Sequence, residues 1–314
     1  MKGQQNVCLL VLILINALVF VGLLVLNYLA ADPQNSGGLF IHGISNVSAI
    51  YNLEITPAGA TFAIWGVIYL WQFVWIIYSL VSICRSSPYG PVYANPTLLP
   101  AGYFITYLLN MISNGVWLFL WDREYITASV FLLLGTSVTL YICIGISYWF
   151  LYINLTNLME QGRMYEVYLV RYMVQNGLGI YAAWVTIATL LNLGAVLQYK
   201  LDNPLDSSTT ALIALSLLSV EVVVFVSLDL SVLDKYSRYV FTPYLVVVVA
   251  LIGVIGKNWD PLESSSIFCA VLLGVAAVCL ILKFAALLGR SRQYQPTQRI
   301  QPTLDERTPI LGRI

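Results

Sequence analysis

The chain has little charge. Asp, Glu, Lys and Arg make up 10% of its 314 residues, less than half of the roughly 25% found in soluble domains. Fifteen basic residues balance fifteen acidic ones, so no basic field exists to hold nucleic acid. Histidine is almost missing: His42 is the single copy, and it reads as a loop bystander in preference to a sensor of acid. No paired-histidine metal site, Gly-rich phosphate loop or nucleophile elbow occurs, so nothing points to an enzyme, a metal or another cofactor. The five cysteines (Cys8, Cys84, Cys143, Cys269 and Cys279) lie in apolar segments or at their edges, without the spacing of a zinc site. Cys84, beside Arg85, is either an idle thiol or a palmitoylation site, the first being favoured.

Apolar sequence is what the chain has in quantity: 59% of residues are hydrophobic and the mean hydropathy is +0.81. Eight apolar segments occur, at about 7–31, 58–83, 98–121, 125–150, 175–197, 209–231, 240–256 and 265–288. Segments of this kind cross a bilayer at about 20 residues, and backbone groups in lipid must be satisfied internally, so each is expected to be a helix. The expected architecture is all-α: a polytopic helical membrane protein with eight transmembrane helices.

An even number of spans puts both termini on one side, and charge says which. With cytosolic termini, that side holds Lys2, Arg85, Arg163, Arg171, Lys235, Arg238, Arg290, Arg292, Arg299, Arg307 and Arg313, against Arg123, Lys200 and Lys257 opposite. Eleven against three is a strong positive-inside bias. The sequon Asn46-Val47-Ser48 then lies in the first exoplasmic loop, making Asn46 the expected glycosylation site, while Asn154-Leu155-Thr156 stays cytosolic and bare. No cysteine falls in an exoplasmic loop, so no disulfide is expected there. Leu29-Ala30-Ala31 mildly resembles a signal cleavage site, but the preceding apolar run exceeds the ~7–15 residues of a signal peptide, which favours a retained span.

Residues 289–314 change to Gly, Pro, Gln, Arg and Thr, the composition of a disordered cytosolic tail. Its end, Asp305-Glu306-Arg307-Thr308-Pro309-Ile310-Leu311, resembles the acidic dileucine signals of lysosomal membrane proteins. In those signals clathrin adaptor complexes read an acidic residue and a hydrophobic pair, here Glu306 with Ile310 and Leu311. An exposed Ile-Leu pair in a polar tail has no fold to serve, so a partner pocket is its expected destination. The expected address is the lysosomal or late-endosomal membrane, with the plasma membrane as the alternative.

Ionisable groups inside apolar runs are costly, about 2.5–3.5 kcal/mol for an acid at the centre of a span. Glu221 lies near the middle of the sixth segment and reads either as a proton-linked or ligand-binding group or as a protonated structural hydrogen bond. Asp229 follows eight residues later, about 12 Å towards the cytosol. Lys283 in the eighth segment belongs at similar depth, which predicts an Asp229–Lys283 ion pair; the alternative is independent snorkelling to the interface.

Aromatic and amide residues recur at helical spacing. Thr61, Trp65, Gln72 and Trp75 share one face of the second segment. Tyr103, Asn110, Asn114, Trp117 and Trp121 share one on the third, and Tyr181, Trp184, Ala188, Asn192 and Tyr199 on the fifth. Amides facing lipid are expensive, so the stripes are expected to face inwards, forming either an apolar pocket with a few orienting polar groups or tight packing with interfacial Trp anchors.

The same stretches carry a family resemblance. Ile55-Thr56-Pro57-Ala58-Gly59, Phe62-Ala63-Ile64-Trp65-Gly66 and Ile68-Tyr69-Leu70 resemble the second-span signature of tryptophan-rich sensory proteins, which belong with the TspO (peripheral benzodiazepine receptor) group, the translocator proteins. Asn110, Asn114, Trp117, Leu118 and Trp121 are similar to the third span. Ile180-Tyr181-Ala182-Ala183-Trp184-Val185-Thr186-Ile187-Ala188-Thr189 with Asn192 resembles the fifth. The likeness covers about residues 50–195. It implies a five-helix bundle over 1–199 with an internal pocket for porphyrins or sterols, lined by Trp65, Asn114, Trp117 and Trp184, with Gln72, Asn110 and Asn192 as further candidates. Residues 200–288 then form a three-span extension without a counterpart in the five-helix proteins, and the apparent address is lysosomal where that group's is mitochondrial.

The reading that results is a non-enzymatic binder or carrier of a small hydrophobic or tetrapyrrole-like ligand in the endolysosomal membrane, with a homodimer as an expectation from the resembled family. Proton-coupled transport through Glu221, and a structural or signalling subunit, are the alternatives. Against transport stands the lack of any internal repeat.

Overall fold

The computed structural model describes residues 6–293; Glu306, Ile310 and Leu311 lie outside the described residues, with most of the tail. The chain is an all-α polytopic membrane protein. Among the described residues, eight apolar helices follow one another: α1 Val7–Ala31, α2 Gly59–Cys84, α3 Ala101–Asp122, α4 Ile126–Glu160, α5 Met164–Tyr199, α6 Ser207–Leu230, α7 Thr242–Asn258 and α8 Ser264–Gln293. The first five residues of α2 form a 3-10 turn, Gly59–Ala63. Seven of the eight are long and apolar enough to cross a membrane; α7, with 17 residues, is a shorter apolar helix.

Several boundaries differ from the sequence reading, each for a local reason. The residues expected to link the fourth and fifth segments are almost wholly helical, because α4 continues to Glu160 and α5 begins at Met164. Hydropathy locates only the part of a helix that lipid surrounds, whereas the hydrogen-bonded spiral continues past it. At 35 residues α4 is about 52 Å long, well beyond a hydrocarbon core of about 30 Å. Helix α7 begins at Thr242, and Pro243 sits in its first turn, where the missing N–H would have no intrahelical partner. Helix α8 also extends past the expected boundary at 288.

Helix α5 organises the molecule. It packs against α2 and α4 on one side and against α6 and α7 on the other, while α8 closes on α6 and α7 and α3 lies between α1 and α4. Buried apolar side chains from every one of these helices merge into one core. Within α5, Val170–Gln175 is wound as a π-helix. Asn176 follows directly: its Nδ2 donates to Arg171 O (2.9 Å) and Tyr239 O (2.8 Å), and its Oδ1 accepts from Phe241 N–H (3.0 Å). One buried amide therefore compensates for the widened turn and ties α5 to the start of α7.

The two ends are fastened differently. At the end carrying residues 32–57, the buried Asp122 carboxylate accepts from the backbone N–H groups of Ile41 (2.9 Å) and His42 (2.7 Å) and pairs with Arg123. Lys257 donates to Asn52 (2.6 Å), and Ser265 to Glu54 (2.7 Å), so α7 and α8 hold the same connector. At the opposite end, buried Glu166 pairs with Arg85, faces Arg163 at 3.9 Å and accepts from Tyr78 Oη at 2.9 Å. The expected glycosylation residue Asn46 is exposed, in a short helix Ile44–Ile50 at the first of these ends.

Candidate functional site

Trp65 on α2 is the centre of an aromatic cluster. Its ring stacks near Tyr69 (5.5 Å between centroids) and Trp117 (6.5 Å), and meets Tyr181 (6.0 Å) and Trp184 (6.4 Å) edge-on. Phe62 closes on Trp184 at 6.0 Å, and Trp121 stacks on Trp117 at 5.8 Å. Trp117 and Trp184 are buried, whereas Trp65 is half-exposed and forms the open edge. The helical spacing of α2, α3 and α5 explains this convergence, since each contributes one inward face.

The polar groups of the cluster are unevenly satisfied. Asn114 Nδ2 donates to Tyr181 Oη at 2.7 Å, which leaves Asn114 Oδ1 buried without a partner. The indole N–H groups of Trp117 and Trp184 are likewise buried and without a hydrogen-bond partner among the described residues. Leaving such a group unsatisfied costs about 1–3 kcal/mol.

The other sequence candidates serve elsewhere. Gln72 fastens helices: its Nε2 donates to Gly177 O (2.7 Å) on α5, and its Oε1 accepts from Trp75 Nε1 (2.8 Å). Asn110 Nδ2 donates to Thr136 O (2.9 Å) and Thr139 Oγ1 (3.1 Å), joining α3 to α4. Asn192 bonds back to Ala188 O (3.0 Å), two turns along α5 from Trp184. Lys283 Nζ and Asp229 Oδ2 are 2.7 Å apart, both side chains buried between α8 and α6. The structure thus brings together Trp65, Asn114, Trp117 and Trp184, and separately Asp229 and Lys283.

A cavity of about 560 Å³ lies on the other side of α5, among α4, α5, α6 and α7, with Ala276 and Cys279 of α8 also in its wall. None of the seven expected ligand residues lines it. Glu221 and Asp229 do, with Tyr141, Tyr148, Thr186 and Tyr244. These four were not singled out in the sequence, although Tyr141 and Tyr148 share a face of α4 at a seven-residue interval.

With this geometry in view, a profile of the TSPO-like protein family matches residues 13–284, nearly the whole helical region. The chain belongs to the TSPO-like protein family. No curated protein and no solved structure matches it. The matched region runs through α6 and α7 and most of α8, so these helices lie within this family's own pattern, where a five-helix comparison would make them an unmatched addition. Membership agrees with the apolar helices in making this a multi-pass membrane protein, and points to a membrane ligand-binding or transport role.

Proposed function

We propose that this TSPO-like protein is a non-catalytic binder or carrier of a small, flat hydrophobic ligand of the porphyrin or sterol class, held at the Trp65 cluster. One observation supports this reading most directly. Two indole N–H donors and an amide oxygen are buried without partners around a half-exposed tryptophan. Aromatic faces provide apolar area for a flat molecule, and the three polar atoms would orient its substituents.

Titration of tryptophan fluorescence with a porphyrin, followed by sterol displacement, tests the reading. Saturable quenching that weakens in Trp184→Phe, which keeps an aromatic ring and deletes the N–H, is the expected result. Saturation indifferent to Trp65→Ala and Trp184→Phe, or none at all, overturns it.

The proposed setting is the lysosomal or late-endosomal membrane with both termini cytosolic. The charge asymmetry supports the orientation, and the tail motif Glu306, Ile310 and Leu311, with clathrin adaptor complexes as its readers, supports the address. Glu221, facing a cavity at membrane depth, favours a second reading of proton-coupled transport. Proton flux in proteoliposomes that survives Glu221→Gln unchanged would remove it.

A further inference from the structure

The cavity behind α5 has a chemistry of its own. Its walls are largely aliphatic and aromatic, with Leu218, Val222 and Phe225 from α6 and Ala183 and Leu190 from α5 among them. The hydroxyls of Tyr141 and Thr186 lie 2.9 Å apart in the wall, and Thr186 donates onward to Ala182 O at 2.9 Å. Tyr141 is therefore the donor to Thr186, and its own oxygen keeps lone pairs free to accept.

Charge bookkeeping separates the two carboxylates. Asp229 Oδ2 accepts from Lys283 Nζ (2.7 Å) and Tyr244 Oη (2.6 Å), so its charge is matched. Its Oδ1 is buried, in a side chain 1% exposed, and has no hydrogen-bond partner among the described residues. Glu221, which is exposed at the cavity's open side, has no hydrogen-bond or ion-pair partner among the described residues. The cavity wall thus carries one carboxyl group without a protein partner, Glu221, in company with Tyr141 and Tyr148, and an orphan acceptor two helical turns away, about 12 Å along α6. A carboxylate beside aromatic faces in an apolar chamber suits an ammonium group, through charge pairing and attraction to the rings.

The chamber is reached from the side. Val138 and Tyr141 on α4, and Val224 and Leu228 on α6, are exposed where the cavity meets the bilayer region. A ligand arriving from the membrane needs an apolar body to partition there and a polar head to stop at Glu221.

We propose that the α4–α7 chamber is a second ligand site, distinct from the Trp65 cluster, and that it takes an amphipathic amine. The ammonium pairs with Glu221 beside Tyr141, and the apolar body fills the chamber. The two sites occupy different faces of α5, since Thr186 is turned about 200° from Trp184. Neither requires the other.

Equilibrium binding of radiolabelled sphingosine, a long-chain primary amine, to the full chain in lipid nanodiscs tests the proposal. The uncharged N-acetyl derivative serves as competitor. Wild-type protein is expected to bind sphingosine saturably and to be displaced poorly by the N-acetyl compound. Glu221→Gln should weaken binding at least about tenfold, the loss of one charge-assisted pair. Ala183→Leu, which narrows the chamber from the α5 wall without touching a charge, should weaken it also and guards against misfolding of the first variant. Equal displacement by the N-acetyl compound would show that the charge is irrelevant. Full affinity in either variant would overturn the site. Porphyrin titration of the same samples reads the Trp65 cluster separately, so failure of one site is distinguishable from failure of the other.

Discussion

Lys283 reaches from α8 to Asp229 on α6, with Nζ 2.7 Å from Oδ2 and both side chains buried. The ammonium donates also to Ser237 O (3.0 Å), and Tyr244 Oη donates to the same carboxylate oxygen (2.6 Å). Two charges 54 residues apart in sequence are thereby neutralised where lipid would otherwise meet them. Lys283→Met alone should destabilise the protein by about 3–5 kcal/mol, because it strands a buried carboxylate. Asp229→Leu combined with Lys283→Met should recover most of that loss, as a buried pair replaced by apolar groups is near neutral. Thermal unfolding in detergent measures both; equal melting of the single variant and wild type would contradict the first expectation.

Asp122 anchors the first connector by accepting two backbone N–H bonds while paired with Arg123. Asp122→Ala should cost about 1.5–3 kcal/mol, the range for hydrogen bonds to a charged group. The loss should be local. Hydrogen exchange should rise at Ile41 and His42 and stay unchanged in α7, whereas a uniform rise would mean global destabilisation.

Gly253 of α7 lies against the start of α2. A Cβ there would approach Thr61 Cγ2 to 2.9 Å, and Gly253 O accepts from Ala58 N–H at 2.9 Å. Gly253→Ala should cost about 1–3 kcal/mol through overpacking. Adding Thr61→Ala should return part of it, and the melting temperatures of the two singles and the double form the cycle.

The orientation makes a separate prediction. Asn46, exposed in the connector, should carry a glycan, and Asn154, on α4, should not. Glycosidase treatment should shift the wild-type band on a gel, Asn46→Gln should abolish that shift, and Asn154→Gln should leave it. A shift lost only in Asn154→Gln would invert the topology.

The address is tested without reference to the fold. Replacing Ile310 and Leu311 with Ala should move the protein to the cell surface, as measured by surface labelling. Unchanged intracellular retention would sink the adaptor reading.

Much of the aromatic cluster was legible because helix geometry converts sequence intervals into faces. Trp65, Asn114, Trp117 and Trp184 stand on stripes that meet, and an amide or indole facing lipid is costly enough to force them inwards. The stripes did not reveal which polar atoms would be consumed by packing. Gln72 and Asn110 carry the same signal as Asn114, yet their bonds go to neighbouring backbones on α5 and α4. That division depends on whether a neighbouring helix's carbonyl lies within hydrogen-bond reach, about 3 Å, to which periodicity is blind.

The sequence by itself determined the helical, multi-span character, the inward faces of three helices and the pairing of Asp229 with Lys283 as one of two readings. All follow from free-energy costs that any residue meets in lipid, whatever its neighbours. Tertiary structure alone decided that α6 and α7 pack back onto α5 and that a chamber opens beside Glu221. A cavity is the space that packed helices fail to fill. It therefore arises from the crossing of elements distant in sequence and from the sizes of side chains, such as Ala183 and Thr186, that carry no signal on their own.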